Sequence, residues 1–370
     1  MSTVSAARGL LATAWGSPVE VAAVQRIEPW SVARLTVRGG PVSSVIMKWV
    51  RDGTADDPAA RAHPDQAVTE AITLEFLADH GVRAPRLIAS GHGIVIMEDF
   101  PDHVALDRLI CQHGFTDAVR AGLIEAAGLL ADRHARTVGR ETDHLTRFAG
   151  RLLVDPVRER RRFMAEGWRQ LRRHATELGW PPDDDAVAEA AACYARLDQP
   201  GPLSALSNGD SATNNVLVGT PGSAVIIDYE FAGYRHCLTD LTDFYLPGPR
   251  WVTVPDAVEY GFEHAYRSAL GGVIPEIADD DRFGGDLAAA GLQHAFGRLG
   301  NLPRIDARPA GDRSRLERRN SIESAADLAE SRGAYPALAA WCRGLGRVLR
   351  RRWPDTDVRT DRLPVFLPRD

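Results

Sequence analysis

Cysteine is scarce in this chain. Four residues in 370, Cys111, Cys193, Cys237 and Cys342, lie far apart and form no CxxC pair. That spacing excludes a zinc knuckle or a disulfide ladder, and reduced, buried thiols are expected. Long uncharged apolar runs are missing, so no segment reads as a bilayer span. The opening stretch MSTVSAARGLLATAWGSP is too weakly apolar for a signal peptide and reads as an amphipathic helix. A basic excess is missing as well: 44 Lys+Arg stand against 50 Asp+Glu, a formal charge of -6. A general nucleic-acid binder needs a net basic face, which this balance does not supply. The signatures GxxxxGK[ST], HExxH and GxSxG are all absent, as are internal repeats and low-complexity tracts. What remains is an ordinary globular composition, 44% hydrophobic and 25% charged, long enough for two lobes sharing a cleft. The expectation is a cytoplasmic enzyme or binding protein with neither nucleic acid nor membrane as partner; the oligomeric state stays open.

Three β-branched stretches, 19–27, 32–37 and 45–50, are separated by the turn-like EPW and RGGP and read as an antiparallel meander. A polar loop, RDGTADDPAARAHPD, follows. VTEAITLEFLADHGV then places Val68, Ile72, Phe76 and Leu77 at helical spacing, with Gly81 as the stop. APRLIAS and GIVIMEDF read as two further strands. From about Asp102 the chain turns helical, and its clear β signals there are NNVLV and SAVIIDY, joined by the turn GTPGS. The fold class expected is α+β and bilobal. Residues 1–100 form a small antiparallel-sheet lobe with one helix, ending in a linker strand; residues 101–370 form a larger, mostly helical lobe carrying one hairpin.

A hairpin brings its open ends together, so Asp210 and Asn215, before one strand, can meet Asp228, after the other. Carboxylate and amide oxygens are hard ligands that suit Mg²⁺, and an unliganded carboxylate nearby can take a proton from a hydroxyl. These are the parts of a phosphoryl-transfer site. Singly, each of these residues reads as a turn former; as a set they read as a site.

The segment LSNGDSATNNVLV…VIIDYEFAGYRHCLTDL resembles the catalytic core of the aminoglycoside phosphotransferase/choline kinase superfamily, small-molecule kinases with a protein-kinase-like fold. The family pattern falls on Asn208-Gly209-Asp210, Asn215, Ile227-Asp228-Tyr229-Glu230 and Asp240-Leu241. The resemblance spans roughly Val19 to Tyr266 and implies ATP and Mg²⁺ as cofactors. It implies Asp210 as the catalytic base, Asn215 rather than Asn214 with Asp228 as metal ligands, and Asp240 as a brace for the loop. In VIMKWV, Lys48 sits within an apolar strand, where a lone lysine is costly without a partner. By resemblance it grips the phosphates and is oriented by Glu70, with Glu75 the competitor. IVIMEDFP resembles the hinge, whose backbone at Glu98, Asp99 and Phe100 would pair with adenine. His134 is expected to be structural.

Two departures stand out. Asn208 replaces the family's His, although an amide can donate and accept similar bonds. The turn IEPWSVA lacks the glycines that let backbone amides close over phosphates, leaving Ser31 as a weak substitute. Two other classes compete. The block GDS at Gly209 to Ser211 resembles a hydrolase nucleophile, but no Asp after Ser211 is followed by His three residues on. A kinase-like fold that binds nucleotide or ligand without transfer is the second. The favoured reading is a kinase acting on a small-molecule hydroxyl: an antibiotic, amino sugar, nucleoside or amino-alcohol. The acidic runs PPDDD and IADDDR give a mild preference for a cationic acceptor. High Arg and Ala content associates the chain with secondary-metabolite or resistance chemistry.

Overall fold

The computed structural model describes residues 3–27, 30–49, 65–151, 156–246 and 261–357. Helix α1 (Thr3–Trp15) leads into strands β1 (Glu20–Arg26), β2 (Val32–Arg38) and β3 (Ser44–Trp49). Helix α2 (Asp65–Asp79) follows, then β4 (Leu87–Gly91) and β5 (Ile94–Glu98). The five strands make one antiparallel sheet in the order β1-β2-β3-β5-β4. Side chains alternate faces along a strand. One face sends Ala33, Leu35, Val45, Met47 and Ile96 against Ala6, Ala7 and Leu11 of α1. The opposite face therefore carries Ile46 and Lys48 of β3, turned toward α2.

On α2, Glu70, Leu74 and Leu77 fall four and three residues apart, on one stripe. All three are buried, whereas Glu75 is exposed. Leu74 and Leu77 join a core that includes Val95 and Met97 of β5 and continues through the helical part of the chain. The hydrophobic core thus runs past residue 100 without a break.

Beyond β5 come β6 (Val104–Ala105), α3 (Leu106–His113), α4 (Asp117–Thr137), α5 (Glu141–Arg147), α6 (Pro156–Glu177) and α7 (Asp184–Asp198). Four short strands follow: β7 (Ser204–Ser207), β8 (Val216–Val218), β9 (Val225–Ile226) and β10 (Gly233–His236). Helices α8 (Phe262–Leu270), α9 (Asp280–Leu299), α10 (Leu302–Asp306), α11 (Arg313–Ser331) and α12 (Pro336–Arg352) complete the described chain. No helix among the described residues is long and apolar enough to cross a membrane. Cys193, Cys237 and Cys342 are buried and Cys111 half-buried, all as free thiols.

The helical part carries more strand than the one hairpin expected. β7 and β10 pair antiparallel, Ser207 opposite Gly233, and β6 adds to β8 as a third strand. The segments SALS and GYRH are four residues long, mix small and polar side chains, and are buried on both sides, so no alternation marks them. The polar loop up to residue 64, part of the turn IEPWSVA, and the first five residues of the stretch DAVEYGFEHAYRSAL lie outside the described residues.

Candidate active site

The β8-β9 hairpin pairs Val216 with Ile226 and Leu217 with Val225, and Ile227 N donates to Asn215 O at 2.9 Å. Asn215 and Asp228 therefore leave the open end of the hairpin side by side. The loop before β8 is fixed from within. Gly209 has φ +83°, and a Cβ there would lie 2.4 Å from Phe231 O, so this position accepts only glycine. Asn208 is fully buried. Its Nδ2 donates to Asp210 O (3.0 Å) and Ile227 O (3.3 Å), and its Oδ1 accepts from Ser211 Oγ and from Arg133 Nη1 (3.3 Å). Asn215 Nδ2 donates to Asp210 O at 2.8 Å and its Oδ1 accepts from Asn214 Nδ2 at 2.8 Å.

Across the cleft, Lys48 Nζ lies 2.8 Å from Glu70 Oε2, 2.6 Å from Asp228 Oδ1 and 3.2 Å from Glu230 Oε2. The second oxygen of Glu70 accepts from Tyr229 N at 3.1 Å, so one buried carboxylate ties α2 to both sides of the site. One ammonium faces three carboxylates. Burial works against the charge on Lys48, but Asp228, Glu70 and Glu230 outweigh it and hold its pKa well above the usual value. Burial pushes Glu70 up to about 7; Asp228 and Glu230 add to that push while Lys48 opposes it. Glu230 is also pushed up, chiefly by burial. The cluster is short of positive charge. Asp228 itself has φ 68°, the left-handed region, at a cost of about 1–2 kcal/mol for an L residue.

Carboxylate oxygens of Glu70, Asp228 and Glu230 all lie within 4.8 Å of one another. A hard divalent cation fits this set, and it would supply the missing positive charge. Glu70 is already engaged by Lys48 and Tyr229, which leaves Asp228 and Glu230 nearer the cleft. At the level of sequence Glu230 stands in the family pattern without a role. Its signal was the two-residue spacing in DYE.

Beneath the loop, Asp240 accepts from Ser207 Oγ, Arg133 Nη2 and the His134 ring (3.1 Å). His134 also meets Tyr266 OH at 2.8 Å. Burial alone would raise the Asp240 carboxyl; the Arg133 guanidinium, with His134 and Ser207, outweighs it and holds the pKa down to about 2. Burial lowers the pKa of His134, and its two partners give it a scaffolding place.

All of these converge on a cleft of ≈ 1610 Å³ lined by Lys48, Glu70, Glu98, Asp99, Phe100, Asp210, Asn215, Asp228 and Glu230. At Asp99 the side chain is taken up by Arg34 (2.7 and 3.0 Å) and Ser44 (2.7 Å), locking β2 and β3 to the end of β5. Glu98 N donates to Arg86 O at 3.0 Å, and the Phe100 ring sits edge-on to His103 at 5.2 Å. Ser31 O accepts from Trp49 N at 3.1 Å. The hydrolase reading finds no support: Ser211 is buried and its hydroxyl donates to Asn208, which makes it a loop fastener. Nor do the acidic runs reach the cleft. Asp183 caps α7 through Ala186 N (2.8 Å), Asp279 caps α9 through Arg282 N (2.9 Å), and Asp280 pairs with Arg267 (2.5 Å). Their charge answers helix N-termini, so the preference for a cationic acceptor loses its basis.

The model of the phosphotransferase enzyme family matches residues 54–273. Among solved structures, LicA in complex with AMP superposes with a TM-score of 0.52 at 15% identity, covering 89% of this chain and 100% of that one. Macrolide 2'-phosphotransferase MphH from Brachybacterium faecium gives 0.49 at 16% identity, with 85% and 96% covered. An aminoglycoside phosphotransferase from Alicyclobacillus acidocaldarius gives 0.49 at 13%, with 88% and 93% covered. At such identities the likeness is one of fold. No curated protein matches the sequence.

Proposed function

The chain belongs to the phosphotransferase enzyme family, the aminoglycoside phosphotransferase/choline kinase superfamily, and on that premise we propose that it transfers the γ-phosphate of ATP to a hydroxyl of a small molecule. The observation that carries this reading is the ion cluster: an ammonium from β3, oriented by a buried glutamate of α2, meets Asp228 at 2.6 Å in the cleft that Asp210 also lines. Residues 1–100 serve as the nucleotide lobe and residues 101–370 supply the catalytic hairpin and the acceptor wall.

Lys48 binds phosphate oxygens, and Glu70 keeps its ammonium aimed. The backbone of Glu98 to Phe100 pairs with adenine. Asp210 accepts the proton of the acceptor hydroxyl as that oxygen attacks the γ-phosphorus in line; the bond to the β-γ bridging oxygen breaks and ADP leaves. Asn215 and Asp228, with Glu230 beside them, would hold Mg²⁺, which when bound neutralises charge on the β- and γ-phosphate oxygens. Reliance on ATP is in keeping with a cytoplasmic setting. Candidate acceptors are antibiotics, amino sugars, nucleosides and amino-alcohols.

Removing a base spares nucleotide contacts. Asp210→Ala is therefore expected to lower phosphate transfer by roughly 10³-fold or more while Mg·ATP binds as in wild type. An ATP-consumption screen over those acceptor classes, followed by calorimetry on the variant, measures both. Unchanged turnover would remove Asp210 from its role. Mg·ATP binding with no acceptor consumed would favour the binding-only alternative.

A further inference from the structure

We propose that the acceptor part of this cleft takes a hydroxyl compound carrying an oxyanion, carboxylate or phosphate, beside an apolar body; the inference rests on the phosphotransferase reading above. Five arginines, Arg161, Arg235, Arg298, Arg308 and Arg318, line the cleft from α6 onward, outside the catalytic hairpin. Three aspartates lie in the same wall, and two of them have an arginine beside them. Asp198 sits 3.4 Å from Arg161, Asp240 is held from below by Arg133, and Asp243 faces His294 at 3.9 Å. With Glu317 shared by Arg298 and Arg318 and Asp312 beside Arg308, the arginines of the wall, Arg133 included, still outnumber its acids by one, a balance that favours an oxyanion over an ammonium.

Two of these arginines are also fixed in place. Arg298 of α9 and Arg318 of α11 close on the same buried carboxylate, Glu317, the latter at 2.5 Å, with their side chains only 20% and 16% exposed. Guanidinium groups held in this way present planar, preorganised donors, the geometry that carboxylate and phosphate oxygens take.

An apolar surface adjoins them. Phe163 of α6 is 55% exposed and Phe231 43%, and both line the cleft, where exposed aromatic faces call for a covering partner. Helices α6 and α9 approach at glycine: a Cβ on Gly167 would meet Gly297 Cα at 2.7 Å. A Cβ on Gly297 would in turn meet Met164 Sδ at 2.9 Å and Phe163 Cε1 at 3.7 Å. The residue after Gly297 is Arg298. Sequence adjacency and close helix packing thus set the apolar patch next to the guanidinium.

The test is calorimetric titration of the full chain with phenylacetate, phenyl phosphate and phenethylammonium. Saturating Mg²⁺ and a non-hydrolysable ATP analogue are present, so that phenyl phosphate does not enter the nucleotide site. At least one of the two anions is expected to bind roughly tenfold or more tightly than the cation, and the tighter of the two identifies the oxyanion. Arg318→Gln is expected to abolish that preference, while Phe163→Ser weakens all three ligands alike. Should Arg318→Gln not fold, Arg308→Gln, on the more exposed rim beside Ser314, is expected to reduce the preference severalfold. Cation binding as tight as the tighter anion, or an anion preference that survives the arginine substitution made, overturns the proposal. A separate Mg·ATP titration keeps the two readings apart. No nucleotide binding with an intact anion preference sinks only the phosphotransfer reading, and the reverse result sinks only this one.

Discussion

At Asn208 a single amide holds the catalytic loop by four hydrogen bonds, two given and two received. An imidazole has one group fewer on each side, so the family's His could not make this set unchanged. Asn208→Ala would remove the donor to the Ile227 carbonyl and the acceptor of Arg133 and Ser211 Oγ in a buried site, leaving the Asp210 carbonyl with Asn215 Nδ2 alone. A stability loss of about 2–3 kcal/mol is expected, with kcat reduced and Mg·ATP affinity kept. Denaturant unfolding and calorimetry read both; stability within about 0.5 kcal/mol of wild type would contradict the scaffold role. Lys48 was visible as a lysine within an apolar strand, Glu70 through the resemblance to the family's helix pattern, and Asp228 through the set it makes with Asp210 and Asn215. Arg133 was not visible, and Glu230 stood in the family pattern without a role. Arg133 meets Asp240 across 107 residues, and nothing local to an Arg-rich helix marks that one guanidinium as buried.

Among the elements, α2 decides where Glu70 stands, and α5 helps to decide where α2 stands. His144 of α5 is buried, 3.2 Å from Thr73 Oγ1, with its ring against Phe76 and Phe148. Burial, reinforced by Arg147 and opposed by Asp143, lowers its pKa to about 4. A folded-state value below the usual 6.5 means that this stability is intact above pH 6.5 and lost as pH falls through 4. The loss at full protonation is on the order of 3 kcal/mol. His144→Gln is expected to be less stable than wild type at neutral pH yet to decline less between pH 6.5 and 4, measured by urea unfolding across that range. Equal slopes would exclude His144 as the source. The first three strands were legible by their β-branched residues and the turns between them, and α2 by its stripe. Strands β7 and β10 were not, because both are buried on two faces and are tied to α4, whose Thr137 accepts from both: its backbone O from Tyr234 OH (2.7 Å) and its Oγ1 from Leu206 N (3.1 Å).

Over the whole molecule, a continuous core joins the inner face of the sheet to the helical part, and the cleft is the gap left between them. Net charge gave no guide to its character. The acidic runs that add to the formal -6 cap helices and do not line the cleft, while arginines separated by up to 157 positions in the chain, Arg161 to Arg318, collect along one wall. Fold class and the catalytic hairpin followed from local pattern; the acceptor wall depends on how α6, α9 and α11 pack, which no local pattern encodes. The central claim is that the convergent side chains hold Mg·ATP. Calorimetric titration of Mg·ATP into wild type, Asp210→Ala and Asp228→Ala tests it most directly. Wild type and Asp210→Ala should bind alike and Asp228→Ala at least about tenfold more weakly; equal affinity in Asp228→Ala and wild type would contradict the account.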